Sequence, residues 1–365
     1  MVRLTRVQQQ ARTRAAVLAA AVEEFAEHGF AGAKVDRIAD RAELTRGAVY
    51  SNFASKQALY LAVLLDRVQR SAADGEDPVG ELDLTDAAEA FARVRLERLP
   101  LAGETTGSGR PATWSLTGVF DDAAGRSAMA ELARLEGLLL ALALESCRTN
   151  AGRRVRLAEL ILTLLHGAGH LAETAPGFSD PFDVARACRH LAELDADDAW
   201  NPPHLPYIAA PRLCLDSWTP PGESTDAITG RPVGFDDDGV IVVLGTGRLS
   251  AAEEAVRAVR AGEPVTVALV TDDPAEIGAL VRLRITGLAV CLRRAFGSAL
   301  RLPMRLVLDE RAALATAVGA GTAENTEVGV RVRGGKIIAR AQGRGAGHAA
   351  ATAPALAEPA ETDGR

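Results

Sequence analysis

Residues 34–60, KVDRIADRAELTRGAVYSNFASKQALY, decide how the N-terminal part of this chain folds. Val35, Ile38, Ala39 and Ala42 recur at helical spacing and turn one face inward. Glu43 and Leu44 interrupt that run, and Thr45 offers a hydroxyl N-cap for a new helix. In the new helix Ala48, Val49 and Phe53 face inward, while Arg46, Tyr50, Ser51 and Asn52 stay outside. Two short helices joined by a tight turn, the second with a polar outer face, form the helix-turn-helix arrangement, whose second helix sits in a DNA major groove.

Working outward, the stretches AVEEFAEHGF, AGAKV, IAD and above all GAVYSNFASKQAL resemble the N-terminal DNA-binding domain of the TetR/AcrR family of bacterial transcriptional regulators. The resemblance implies a homodimer binding double-stranded, palindromic operator DNA, with a helical body that accepts a small-molecule effector and releases the repressor. It also implies phosphate contacts from Tyr50 and Lys56. Arg46 has the fork that reads guanine, or it holds a phosphate. Thr45, Ser51 and Asn52 lie along the same helix, and Lys34 and Arg37 stand where the preceding helix crosses the backbone. Two departures are visible: Ala33 and Lys34 replace a common threonine pair, and Glu43 occupies the turn position usually held by glycine.

Charge distribution agrees with a DNA-binding end. The 365 residues carry a net charge of −7, yet up to Arg70 there are eleven Lys or Arg against seven Asp or Glu. A basic module on an acidic body suits a binder that must avoid adhering elsewhere. Lys34, Lys56 and Lys336 are the three lysines, and two of them fall in this segment. No run of eighteen apolar residues occurs, and MVRLTRVQQQARTR lacks an apolar signal core, so a cytoplasmic protein without membrane association is expected. Cys147, Cys188, Cys214 and Cys291 are scattered without metal or CxxC spacing, as in a reducing compartment.

The expected organisation is multidomain. An all-α helix-turn-helix domain (1–70) begins with a helix over 12–28 that Gly29 ends, and a linking helix runs over 56–70. A helical ligand-binding and dimerisation domain (71–195) follows, with helices at 84–98, 111–121, 126–149, 153–173 and 181–195. Polar loops are expected at 71–83 and 101–112. The last two helices correspond to the family's dimerisation helices, where Gly167, Ala168 and Gly169 allow close approach. Residues 196–229 hold six prolines and read as a linker, strapped down by Trp200, Tyr207 and Trp218.

Beyond it, 230–348 alternates strands (240–244, 264–270, 304–308) with helices (250–261, a long helix or pair of helices over 274–299, and 311–319). It closes in a hairpin at Gly334-Gly335, an α/β pattern, before a disordered tail over 349–365. TGRPVGFDDDGVIVVLG and VRVRGGKIIARAQG resemble the thioredoxin-like fold of peroxiredoxins and thiol reductases. The redox residues are missing: Thr246-Gly247-Arg248-Leu249-Ser250 has no cysteine, and Thr326 stands where such reductases have a cis-proline. A thiol peroxidase or redox-sensing regulator is therefore the lesser reading, and a non-enzymatic chain without cofactor the main one.

Other constellations are weaker. Gly245-Thr246-Gly247 opens a helix after a strand, but Ser250 replaces the third glycine of a dinucleotide fingerprint. His166 and His170 lie one helical turn apart, with Cys188 and His190 on the next helix, as metal ligands, pocket groups or interface histidines would. An effector pocket lined by Phe91, Trp114, Phe120, Met129, Leu138, His166 and His170 is expected.

Overall fold

The computed structural model describes residues 5–71, 82–97, 116, 118–147, 152–175, 177–194 and 197–354. Trp114 and most of the two expected polar loops lie outside them. Two compact units emerge, one of residues 1–198 with 273–301, the other of 199–272 with 302–365.

The first unit is helical: α1 (Arg6–Gly32), α2 (Val35–Arg41), α3 (Arg46–Asn52), α4 (Lys56–Ser71), α5 (Leu84–Leu96), α6 (Ala123–Glu145), α7 (Val155–Thr174) and α8 (Pro181–Glu193). Helix α1 starts earlier than its apolar pattern suggests, because Thr5 and Gln8 form a reciprocal capping box. Gly29 breaks its helical path with φ 63° before a last turn. Asp83, Asp122 and Asp180 cap α5, α6 and α8 without the reciprocal bond, each accepting a backbone N–H of the first turn. The expected helix over 111–121 does not extend to its end. Residues 118–120 form a turn, Gly118 taking φ 76° ahead of the Asp122 cap.

The second unit contains β1 (Arg212–Ser217), β2 (Ser224–Thr225), β3 (Pro232–Val233), β4 (Gly239–Gly245) and α9 (Ala251–Ala258). The chain continues through β5 (Val265–Val270), α10 (Ile277–Phe296), β6 (Met304–Leu308), α11 (Ala313–Val318), β7 (Glu327–Arg333), β8 (Lys336–Gln342) and α12 (Ala346–Thr352). Its six-stranded sheet has the order β1-β8-β7-β4-β5-β6. Strands β4, β5 and β6 are mutually parallel, whereas β7, β8 and β1 join antiparallel. Every residue of β4 and β5 is buried, which explains their continuous apolar runs. Helices α9 and α12 pack together on the sheet, and Gly329 admits α12, since a Cβ there would lie 2.4 Å from the Ala346 carbonyl.

Three boundaries differ from the sequence reading. The linker expected over 196–229 supplies the edge strand β1 and one strand of a small hairpin. Strand β1 is mostly exposed, Leu213 and Leu215 included, so its apolar residues do not mark a buried face. The tail expected from residue 349 instead continues α12 to Thr352, with Ala349, Ala350 and Ala351 buried and Arg331 holding the carbonyls of Ala351 and Ala353. Helix α10, assigned by position to the α/β region, packs against α4, α5 and α6 and belongs to the helical unit.

Candidate nucleic-acid interface

Helices α1 to α4 build the candidate interface around a shared core. Phe25 meets Tyr60 edge-on at 4.9 Å, Phe30 lies 5.1 Å from the same ring, and Ile38, Val49, Phe53 and Leu59 are buried beside them. Burial pushes the Tyr60 hydroxyl up to about 12, with Glu173 adding to the effect. The turn between α2 and α3 is made by Glu43 in the left-handed region, φ 54°, where glycine carries no Cβ penalty. The Thr45 hydroxyl then accepts the Ala48 N–H at 3.2 Å and starts α3.

The eight sequence candidates divide by what their polar atoms already hold. Lys34, Thr45, Arg46, Tyr50 and Ser51 are exposed. Arg46 spans the outer face, its guanidinium 3.3 Å from Asp36 and 5.5 Å from the centre of the Tyr50 ring. The other three are turned partly inward. Arg37 donates to the Glu24 carboxylate at 2.7 Å and to the Gly32 carbonyl at 2.9 Å. The Asn52 amide donates to Ala48 O at 2.8 Å. Lys56 reaches back to the end of α1, donating to Phe30 O at 2.9 Å and Ala33 O at 3.3 Å, and leaves one of its three protons for another acceptor.

Two supporting residues escaped the sequence reading. Glu24, fully buried, accepts the Lys34 N–H at 3.0 Å as well as Arg37. Burial opposes its charge, but those two donors outweigh burial and hold the carboxyl below its usual range. Arg14 donates to Asn52 O at 3.0 Å and stacks 4.2 Å from the Phe53 ring, closing the end of α3. Glu24 lies in the stretch AVEEFAEHGF, but an acidic residue in an amphipathic helix gives no sign of a buried partner, and Arg14 lies outside the quoted motifs.

The interior candidates also separate. Phe91, Phe120 and Leu138 are buried, and Met129 is half-buried. His166 is half-buried and meets Arg95, whereas His170, one turn on, is exposed. Among the described residues, the three-residue group with metal-like spacing is Glu24, Glu27 and His28, not the His166 set, and Arg37 and Arg41 already engage its carboxylates. Burial pushes the Cys147 and Cys188 thiols up to about 11 and about 12, which makes them poor nucleophiles. The two glycines of Gly245-Thr246-Gly247 have a packing reason. A Cβ on Gly245 would lie 2.2 Å from Ala323 O, and Gly247 donates its N–H to Glu324 O at 2.9 Å.

Residues 17–63 match the family model described as bacterial regulatory proteins, tetR family. They form a TetR-family N-terminal domain. Beside this TetR-family domain match, the chain is similar to curated HTH-type transcriptional regulators. The chain is 39% identical over 75 residues to the HTH-type transcriptional repressor SCO4008 of Streptomyces coelicolor, covering 20% of this chain and 39% of that protein. It is 47% identical over 51 residues to the HTH-type transcriptional activator FasR of Mycolicibacterium smegmatis, covering 14% of this chain and 23% of that one. The matches thus span less than half the length of these relatives. Among solved structures, reduced NemR of E. coli aligns with a TM-score of 0.35 at 24% identity, over 52% of this chain and 99% of that one. Among the described residues, no helix is long and apolar enough to cross a membrane.

Proposed function

We propose that this chain is a homodimeric transcriptional regulator that represses from a palindromic operator and is released by a small molecule. The observation that carries the reading is α3 of the TetR-family domain, with Arg46, Tyr50 and Ser51 exposed and Val49 buried behind them. Two such helices, one from each protomer, would enter successive major grooves about one helical turn apart. Arg46 would read a base edge, while Lys34, Tyr50 and the remaining proton of Lys56 would position the backbone.

Dimerisation through α7 and α8 draws support from their surface. Leu160, Phe178, Phe182 and Leu194 lie exposed on or beside these helices, Phe178 at 73% and Phe182 at 69%. Gly167 presents bare backbone, with nothing within 4 Å of where a Cβ would stand. An effector in the helical body would act by binding more tightly to a dimer whose α3 helices are wrongly spaced. The test is genomic footprinting of the tagged full-length chain, followed by anisotropy titration on the recovered site. Equal affinity for the recovered site and scrambled DNA would sink the reading.

We read the second unit as a thioredoxin-like module serving assembly or the ligand response. Its parallel β4 and β5, the antiparallel β7–β8 hairpin and the covering pair α9 and α12 support that reading. Because α10 packs with the helical unit, truncation near residue 205 would also remove a helix of that unit. Deletion of 302–365 spares α10. It should leave operator binding while weakening dimerisation or effector release, and a truncated chain unchanged in all three would count against the role.

A further inference from the structure

The helical unit encloses a cluster of charged groups that its DNA-binding end does not use. Glu136 on α6 and Arg284 on α10 pair through two contacts of 2.7 and 2.6 Å, Glu136 only 2% exposed. Beside them, Arg95 on α5 places Nη2 3.4 Å from Nε2 of His166 on α7. Four helices thus bring two guanidinium groups, one carboxylate and one imidazole together.

The charges in this cluster do not balance. Arg284 is neutralised by Glu136, whereas Arg95 faces an imidazole and has no carboxylate within ion-pair distance among the described residues. His166 reports the resulting field. Burial and then the charges of Arg95 and Arg284 push it down to about 4, so it is neutral at physiological pH. A neutral ring that accepts from Arg95 at Nε2 keeps its proton on Nδ1, a second donor. Arg95 and His166 are both half-buried and hence reachable. Phe91 and Leu162, one turn away on the same faces of α5 and α7, are buried beneath them.

We propose that Arg95 and His166 seat the carboxylate of an organic monoanion whose apolar remainder lies toward Phe91 and Leu162. One uncompensated guanidinium matches one negative charge, and its planar fork suits a carboxylate. A dianionic phosphate would remain half-neutralised. The inference rests on the reading of the helical unit as an effector-binding body. It adds the chemical class of the effector, and it makes α10, through Arg284 and its packing on α4, part of the responding structure.

The test uses the full-length chain without DNA. Straight-chain monocarboxylates from butanoate to dodecanoate are compared with the alcohols of equal length and with inorganic phosphate, by calorimetry and thermal shift. At least one carboxylate should bind about tenfold or more tightly than its alcohol. Arg95→Gln should abolish that preference, and Arg95→Lys, which keeps the charge, should retain part of it. Carboxylates binding no better than their alcohols, phosphate binding best, or an unchanged preference in Arg95→Gln would each overturn the proposal. If Arg95→Gln fails to fold, the wild-type comparison and Arg95→Lys still decide. Operator affinity is measured separately, so loss of DNA binding would count against the regulator reading and not against this one.

Discussion

Arg284 on α10 grips Glu136 on α6 at two points, Nε to Oε1 at 2.7 Å and Nη2 to Oε2 at 2.6 Å. The chain enters α10 from β5 and leaves it for β6, so this pair fixes within the helical unit a helix that lies in sequence between two strands of the sheet. Burial disfavours the Glu136 charge, yet Arg284 outweighs burial and keeps the carboxyl ionised. Removing one partner leaves the other charge buried and alone. Arg284→Met or Glu136→Gln is therefore expected to destabilise the helical unit by about 3 kcal/mol, and the double change Glu136→Leu with Arg284→Met by less than either single change. Urea unfolding of the three variants checks this; equal, additive losses would show that the two side chains are energetically independent.

Arg46 and Lys56 should respond differently to truncation. Arg46 is exposed at 61% and ties no backbone together, so Arg46→Ala should leave stability within about 0.5 kcal/mol while relaxing base preference by about 1–3 kcal/mol at one position. Lys56 holds two carbonyls at the end of α1. Lys56→Ala should weaken all sequences alike, lower the salt slope by about one, and also cost about 1 kcal/mol of stability. Anisotropy titrations at several salt concentrations, paired with thermal melts, separate these effects.

The helix-turn-helix was legible because its signals are local: an apolar helical period, a hydroxyl cap at Thr45 and a polar outer face within one short window. Its inner bracing was not. Arg37 and Lys56 have the residue types of phosphate contacts, and only the fold reveals that Glu24 and the end of α1 already hold them. Strands β4 and β5 announced themselves by unbroken burial, whereas β1, exposed on an edge and set among prolines, resembled linker. The apolar pattern over 274–299 gave helicity, as one long helix or a pair, but no partner, since an amphipathic face packs equally well on a sheet or on other helices. Arg95 and His166 lie 71 residues apart, and nothing in either local sequence marks the other.

Glu43→Gly should tighten the turn. A non-glycine residue at φ 54° carries a left-handed penalty of about 1–2 kcal/mol, partly offset by glycine's larger entropy when unfolded. A net gain of about 0.5–1 kcal/mol is expected, read as slower hydrogen exchange of the α2 and α3 amides in the full chain. Faster exchange would mean that Glu43 makes a compensating interaction.

His166 should make the helical unit sensitive to mild acid. Its native pKa is about 4, against 6.5 for the free side chain. Above pH 6.5 both native and unfolded chains are neutral here, and the full contribution to stability is present. As pH falls from 6.5 toward 4, the unfolded chain takes up a proton that the native ring refuses, so stability declines by on the order of 2–3 kcal/mol. Below about 4 both states are protonated, and no further loss comes from this residue. His166→Gln should flatten that part of the curve. His204 and His348 in the α/β unit are also shifted downward, first by burial and then by Arg344 and Arg248 for His204 and by His204 for His348. The readout is therefore the difference between wild type and variant, followed by hydrogen exchange of the α5 and α7 amides. Those amides lie beside Arg95, Glu136 and Arg284, the groups that set the His166 field. Identical exchange profiles between pH 4.5 and 6.5 would mean that His166 takes up its proton as readily in the native protein as in the unfolded chain.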